Sequence, residues 1–173
     1  MALETAQIQD KLSATFSDVT FLFKLEKDIL SIEVPADKIT AIILYLKNDS
    51  ELRFHFLTDL CGVHYPDNEL ERQFAIVYHM HNWYENKRIR IKTYISGENP
   101  SLKSLTTIFP SANWMERETY DFYGIDFIGH PQLKRILNMD EMVSFPMRKE
   151  FPLEDGGRTD KDDRFFGRTQ SNK

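Results

Sequence analysis

Two groups of residues have the types and spacing to do chemistry. The first lies in ERETYDFYGIDFIGHPQLKRIL, Glu116 to Leu137. Glu116, Glu118 and Asp121 are carboxylates set among aromatic rings, surroundings that can separate two acids into a general acid and a general base. The second is Cys61-x-x-His64 together with His79-x-His81, four side chains of the kind that hold zinc. Neither group makes a complete site. The first has no metal-ligand spacing, no glycine-rich phosphate loop and no nucleophile beside a base. In the second, the two histidines alternate against an apolar strand face, where polar side chains are expected simply as the wet side.

The elements that must position these residues follow from periodicity. Residues 3–15 predict a first helix. Val19–Phe23 and Ile29–Val34 predict two strands around a turn at Glu26-Lys27-Asp28. Ile39, Ile42, Ile43 and Leu46 recur at helical spacing behind Pro35, which predicts a helix over 36–47. Three strands follow in series: Leu52 to about Cys61, Gln73–Trp83 and Arg88–Ser96, with PDNE at 66–69 as a turn. The last of these carries Ile89, Ile91, Thr93 and Ile95 on one face and Arg88, Arg90, Lys92 and Tyr94 on the other. The basic face invites a nucleic-acid reading, but a net charge of −5 opposes it. The order α-β-β-α-β-β-β implies a two-layer α+β domain, with helices on one face of a mixed, largely antiparallel sheet. A short helical segment is expected after Asn99-Pro100.

Ser111 or Asn113 can cap a helix that runs to Gly124, and Asn113 with Glu116 has the spacing of a capping box. On a helical wheel Trp114, Met115, Tyr120, Phe122 and Tyr123 fill an arc that encloses Glu116 and Glu118. Arg117 and Asp121 form a polar edge as an i,i+4 pair. A helix this apolar should be covered on most sides, so its glutamates need donors. His130, Lys134, Arg135, Arg148 and Lys149 stand ready downstream. The expectation is an ion-paired clamp that docks the helix and its loop against a partner or against the body of the domain; a helix end with solvated acids is the plainer alternative.

The remaining composition sets limits. One cysteine, Cys61, supplies neither a disulfide framework nor an iron–sulfur cluster, and suggests a reducing compartment. The start, MALETAQIQDKL, is too polar for a secretory signal, and the longest apolar run, Ala41 to Leu46, is far short of a membrane span. From Ser144 the chain is rich in Phe-Pro pairs, glycine and charge, which predicts an extended tail over 144–173 behind a domain over 1–143.

Glu116-Arg117-Glu118, Asp121, His130 and Lys134-Arg135-Ile136-Leu137 together resemble the signature of the thirty-kilodalton (C) subunit of respiratory complex I. NDSELRFHFLTDLCGVHYP (48–66), FAIVYHMHNWYENKRIRIKT (74–93), FPSANWMERETYDFYGI (109–125) and FPMRKEFPL (145–153) carry the same resemblance in the same order, over roughly residues 33–153. His64 stands where that family usually has an acid, and Phe145-Pro146 where it usually has His-Pro. The resemblance implies a structural subunit of the hydrophilic arm of a proton-pumping NADH:quinone oxidoreductase, inactive alone. It implies a place on the cytoplasmic face of the bacterial inner membrane, reached only through partners. Those partners would be the D (forty-nine-kilodalton) and B subunits and other hydrophilic-arm subunits, not nucleic acid. FMN, the iron–sulfur clusters and quinone would lie in partner subunits. Glu116, Arg117, Glu118, Asp121, His130, Lys134, Arg135, Phe145, Arg148, Lys149, Phe151 and Pro152 would then be structural and interface residues. Equivalent subunits of membrane-bound hydrogenases or ferredoxin-linked dehydrogenases are the alternative.

Overall fold

The computed structural model describes residues 4–151. Helix α1 (Thr5–Thr15) precedes a hairpin of β1 (Leu22–Glu26) and β2 (Ile29–Glu33), then α2 (Ile39–Asn48). Three strands follow, β3 (Phe56–His64), β4 (Phe74–Asn82) and β5 (Lys87–Ile95). The chain then forms β6 (Ser101–Lys103), α3 (Ala112–Tyr123) and β7 (Asp126–Ile128).

The main sheet has the order β1-β2-β5-β4-β3. Only β2 and β5 run parallel within it; its other pairs are antiparallel. Alternation makes one face apolar. Leu30 and Ile32 of β2, Ile89 and Ile91 of β5, Phe74, Ile76, Tyr78 and Met80 of β4, and Leu57 and Leu60 of β3 enter one core. Ile8 and Leu12 of α1, the four buried residues of α2 and Ala112 of α3 close over it. The α+β class and the one-sided placing of the helices agree with the sequence reading.

Boundaries moved where a backbone turn overrides propensity. The first hairpin turns on Lys27 and Asp28, both at positive φ (49° and 65°), so Glu26 pairs with Ile29 and β1 begins at Leu22 rather than Val19. Arg53 also sits at positive φ (44°); Leu52 and Phe54 are buried from a loop, and β3 starts only at Phe56. Helix α2 begins at Ile39 because the Lys38 N–H turns back to the Pro35 carbonyl. After Pro100 comes strand β6 rather than a helical segment, paired in parallel with β7, which the sequence reading lacked. Three-residue strands carry too little alternation to be read.

Glycine fixes how closely α3 approaches the sheet. A Cβ on Gly62 of β3 would lie 2.8 Å from Tyr123 Cδ2 and 2.9 Å from Thr119 Cγ2, so α3 rests directly on that backbone. Gly124 ends α3 in the left-handed region (φ 66°), and a Cβ there would lie 2.5 Å from the Phe145 ring. Gly124→Ala is expected to combine backbone strain with a displaced ring and to destabilise the chain by about 1–3 kcal/mol. Urea unfolding of the purified variant measures it.

Candidate functional site

The acids of the ERE stretch face different ways, each for a local reason. Glu116 is fully buried under α3. Its Oε1 accepts the Leu105 N–H at 2.7 Å and its Oε2 accepts the Ser104 hydroxyl at 2.7 Å. The β6–β7 pair brings that loop under the helix, because the Ser104 N–H continues the ladder to the Ile128 carbonyl. Glu116 therefore forms no capping box with Asn113; the helix starts from Ser111, without a side-chain cap. Burial raises the Glu116 carboxyl to about 7, against the opposing pull of its two donors.

Asp121 organises the segment that follows. Its Oδ2 accepts three consecutive backbone N–H groups, Ile136 at 3.0 Å, Leu137 at 2.8 Å and Asn138 at 2.9 Å. Its Oδ1 accepts Arg135 Nη1 at 2.7 Å and Asn138 Nδ2 at 3.0 Å. Burial works to raise this carboxyl, but the backbone donors from Asn138, Leu137 and Ile136 and the Arg135 side chain hold it well below the usual carboxylate range. The Arg135 guanidinium continues to the carbonyls of Asp121, Met142 and Ser144. One carboxylate and one guanidinium thus fold residues 135–144 into a fixed loop without regular secondary structure.

Arg117 is not the partner of Asp121, although four residues separate them. It lies over the Trp114 ring at 5.0 Å and donates to the carbonyls of Lys134 and Arg135. A guanidinium has a planar fork that matches two carbonyls, whereas Asp121 is already filled by closer donors. His130 ties the same loop to the start of α3. Its Nδ1 accepts the Gln132 N–H, so Nε2 carries the proton and donates to the Asn113 carbonyl at 3.1 Å.

The FPMRK segment locks onto the other end of α3. Phe145 lies between the guanidinium groups of Arg135 (4.9 Å) and Arg148 (4.8 Å) and meets Tyr120 edge-on. Arg148 Nε donates to the Tyr123 carbonyl at 2.7 Å. The Lys149 N–H donates to Nδ1 of His64, whose ring stacks on Phe74 at 4.4 Å. An acid at position 64 would accept the same N–H, so the histidine keeps the anchor with a different acceptor. Burial pushes its pKa down, in keeping with a ring nitrogen that accepts.

Other expectations fail on geometry. Glu118 is exposed, and Trp114 is 62% exposed, whereas Met115, Tyr120, Phe122 and Tyr123 are half-buried, so the described residues cover the apolar arc of α3 only in part. The buried residues of α3 are Ala112, Glu116, Thr119 and Asp121. The wheel located the apolar arc, but the inward face is the one with polar partners. Lys134 and Lys149 expose their side chains and contribute backbone groups only. Phe151 ends the described chain, and Pro152 and the expected tail beyond it lie outside the described residues. Cys61 and His64 sit on opposite faces of β3, since Cys61 pairs with Val77 and His64 with Phe74. His79 accepts Arg90 Nε at 3.0 Å, and His81 bonds Asn86. No cluster of three metal-type ligands occurs among the described residues. Sequence reasoning missed the side chains of Ser104 and Asn138, which no spacing ties to α3, and the backbone groups of Leu105, Met142 and Ser144, which leave no trace in residue type.

Taken together, these features define a two-layer domain whose signature charges fix its own C-terminal strap against one helix. Comparison with known proteins gives the family. Residues 32–156 match the model of the respiratory-chain NADH dehydrogenase 30 Kd subunit. The chain belongs to that family. It is 40% identical over 153 residues to the C subunit of the NADH-quinone oxidoreductase of Roseiflexus castenholzii, covering 88% of this chain and 87% of the relative. It is 38% identical over 146 residues to the corresponding C subunit of a Methylobacterium species, covering 84% and 66%. Among solved structures, the trypsin-resistant fragment (1-134) of Nqo5 aligns with a TM-score of 0.61 at 28% identity, over 74% of this chain and 98% of that one. A chain of the membrane-bound sulfane sulfur reductase, an archaeal respiratory membrane complex, aligns with a TM-score of 0.71 at 25% identity, over 86% and 85%. No helix among the described residues is long and apolar enough to cross a membrane.

Proposed function

We propose that this chain is the C subunit of a proton-translocating NADH:quinone oxidoreductase, a scaffold rather than a reaction centre. Electrons would pass from NADH through FMN and iron–sulfur clusters to quinone in neighbouring subunits. This subunit would hold the D subunit, and through it the B subunit, in shape on the cytoplasmic face of the membrane. Glu116, Arg117, Asp121, His130, Arg135 and Arg148 then serve by fixing backbone, and the isolated chain turns over no substrate.

The observation that carries this reading is the contrast within residues 135–151. The backbone is tied down by Asp121, Arg135 and Arg148, while Leu137, Met139, Val143, Met147 and Phe151 face outward. Val143 is 95% exposed and Met139 74%. Such a run of ordered, outward apolar side chains is a docking strip. Its rigidity lowers the entropy cost of binding. The strap past Phe151 would continue over the same neighbour.

Gently solubilised membranes from cells that carry a tagged chain, run on a native gel and stained for NADH oxidation, test this. The tag is expected in a large NADH-oxidising band. A tag that runs alone would overturn the scaffold reading. The likeness to the sulfane sulfur reductase chain favours a second reading, an equivalent place in a related membrane complex. A large tagged band without NADH oxidation would select it.

A further inference from the structure

The open face of the five-stranded sheet carries a cavity that residues 135–151, the described part of the strap, do not line. Its rows run across the strands. Leu22, Glu33, Lys92, Val77 and Cys61 form one row, and Lys24, Ser31, Arg90, His79 and Asp59 form the next. Ala75 and Val77 are small, buried and central, so the longer side chains around them stand up as walls. The result is a cavity of about 370 Å³ whose polar lining includes Lys24, Ser31, Tyr65, Arg90, Lys92 and Tyr94.

Charge in this cavity does not balance. Glu26 is bound by Arg90 at 2.9 Å, and Glu33 by Arg72 at 2.8 Å. Arg90 also donates to His79, and Arg72 lies over the Tyr94 ring at 3.7 Å. Both acids of the lining are thereby neutralised, and Lys24 and Lys92 remain. Neither has a carboxylate within 4.0 Å among the described residues. Lys92 is half-buried and held in place. Its Nζ donates to Tyr65 Oη at 2.9 Å and sits 4.6 Å and 4.5 Å from the centroids of the Tyr65 and Tyr94 rings. The Tyr65 hydroxyl takes one of the three ammonium protons and the two rings hold the ammonium in place, which leaves donor capacity for a further acceptor. A cation ordered and partly desolvated without a counter-charge is a site prepared for an anion.

We propose that Lys92, between Tyr65 and Tyr94, receives an aspartate or glutamate side chain of a neighbouring subunit that docks on the open face of the sheet. The proposal rests on the scaffold reading and adds to it a second contact, on the side away from the apolar core. The electrostatics favour a carboxylate over a nucleic acid backbone. Arg90 and Arg72 are already paired, so the face offers one fixed cationic point rather than a basic stripe. A single carboxylate fits that point and gives register to the docked surface.

Acylation of lysines in the purified chain and in the assembled complex, read by mass spectrometry, tests the site. Lys92 is expected to label at least about tenfold more slowly in the complex, as a buried ion pair requires. Carbodiimide treatment of the complex is expected to join Lys92 Nζ as an amide to an acidic residue of another subunit. Lys92→Arg should preserve the complex, and Lys92→Glu should lower its abundance by about tenfold or more through like-charge contact. The purified Lys92→Glu chain should keep its Tm, which separates lost docking from lost folding; if the Tm falls, Lys92→Gln replaces it. Equal labelling in both states, or a Lys92→Glu complex at wild-type abundance, overturns the proposal. So does protection of Lys92 in the free chain that disappears on truncation after Leu153, since the chain's own acids would then fill the site. A wild-type chain that enters no complex fails the scaffold reading itself, before any Lys92 variant is compared.

Discussion

Asp121→Ala is expected to remove the subunit from its complex while leaving most of the sheet domain folded. The substitution deletes five hydrogen bonds to one carboxylate and leaves Arg135, whose side chain is 7% exposed, without its counter-charge. Breaking a buried pair from one side costs about 3–5 kcal/mol. The loss falls on the 135–144 loop, because the five hydrogen bonds that the carboxylate accepts come from residues 135–138. Without it the three N–H groups of residues 136–138 have to find water, and the docking strip loses its fixed shape. The expected result is a circular dichroism spectrum close to wild type, a faster tryptic cut after Lys134 or Arg135, and little tagged chain in the large native band. Asp121→Asn should be milder, since its one amide oxygen still accepts some of these donors. Unchanged protease resistance in Asp121→Ala would show that the loop holds its shape without the carboxylate.

The same residue sets the acid limit. Its folded pKa lies well below the ordinary value of 3.8. Above that ordinary value the native state gains the full benefit of the charged form. As pH falls below it the unfolded chain takes up the proton first, and the benefit is lost as pH falls through the lower folded value. Acid unfolding of the wild-type chain should therefore be steeper than that of Asp121→Asn.

How legible was this in the sequence? Strand β5 was, because it alternates over nine residues and one face is apolar; β4 was legible from its run of Phe74, Ile76, Tyr78 and Met80 on one face, although its burial is nearly continuous. Helix α3 was, since Gly124 stops it and the spacing of its aromatics is helical. Its orientation was not. A wheel records which residues share a side, but only tertiary neighbours decide which side turns inward. Glu116 turns inward because Ser104 and Leu105, twelve and eleven residues upstream, arrive beneath it in the loop that follows β6. Asp121 leaves Arg117, its neighbour on the helix, for Arg135 fourteen residues on. An i,i+4 pair on an exposed helix is worth only about 0.2–0.5 kcal/mol, too little to outweigh a nest of backbone donors. The i,i+4 pairing read on the wheel is replaced by longer-range partners, because backbone carbonyls and amides do much of the binding and every residue type has them.

Glu116 makes the opposite prediction to Asp121, and the contrast separates the two. Its folded pKa is raised from 4.5 to about 7 by burial. Between those values the native chain keeps a proton that the unfolded chain has lost. Stability therefore falls as pH rises from about 4.5 to about 7, and is lowest above that window. A shift of this size corresponds to about 3 kcal/mol. Glu116→Gln has no charge to bury. Its amide oxygen can accept the Leu105 N–H, and its amide group can donate to Ser104 Oγ, whose hydroxyl hydrogen then turns to Thr106 Oγ1 at 2.8 Å. The variant is expected to be flat across the window and more stable than wild type at about pH 8. Glu116→Ala, which leaves the Leu105 N–H without a partner, should be less stable than wild type at about pH 5. Tyr78 supplies the control. Its hydroxyl is buried without a hydrogen-bond partner among the described residues, and burial first and Glu116 second push its pKa up. Tyr78→Phe removes that orphan group and should leave the slope between pH 4.5 and 7 in place. Urea titrations of the purified chain at intervals across this range decide it. A wild-type profile as flat as that of Glu116→Gln would mean that the carboxyl is already ionised at about pH 5, and that Ser104 and Leu105 stabilise its charge more than burial opposes it.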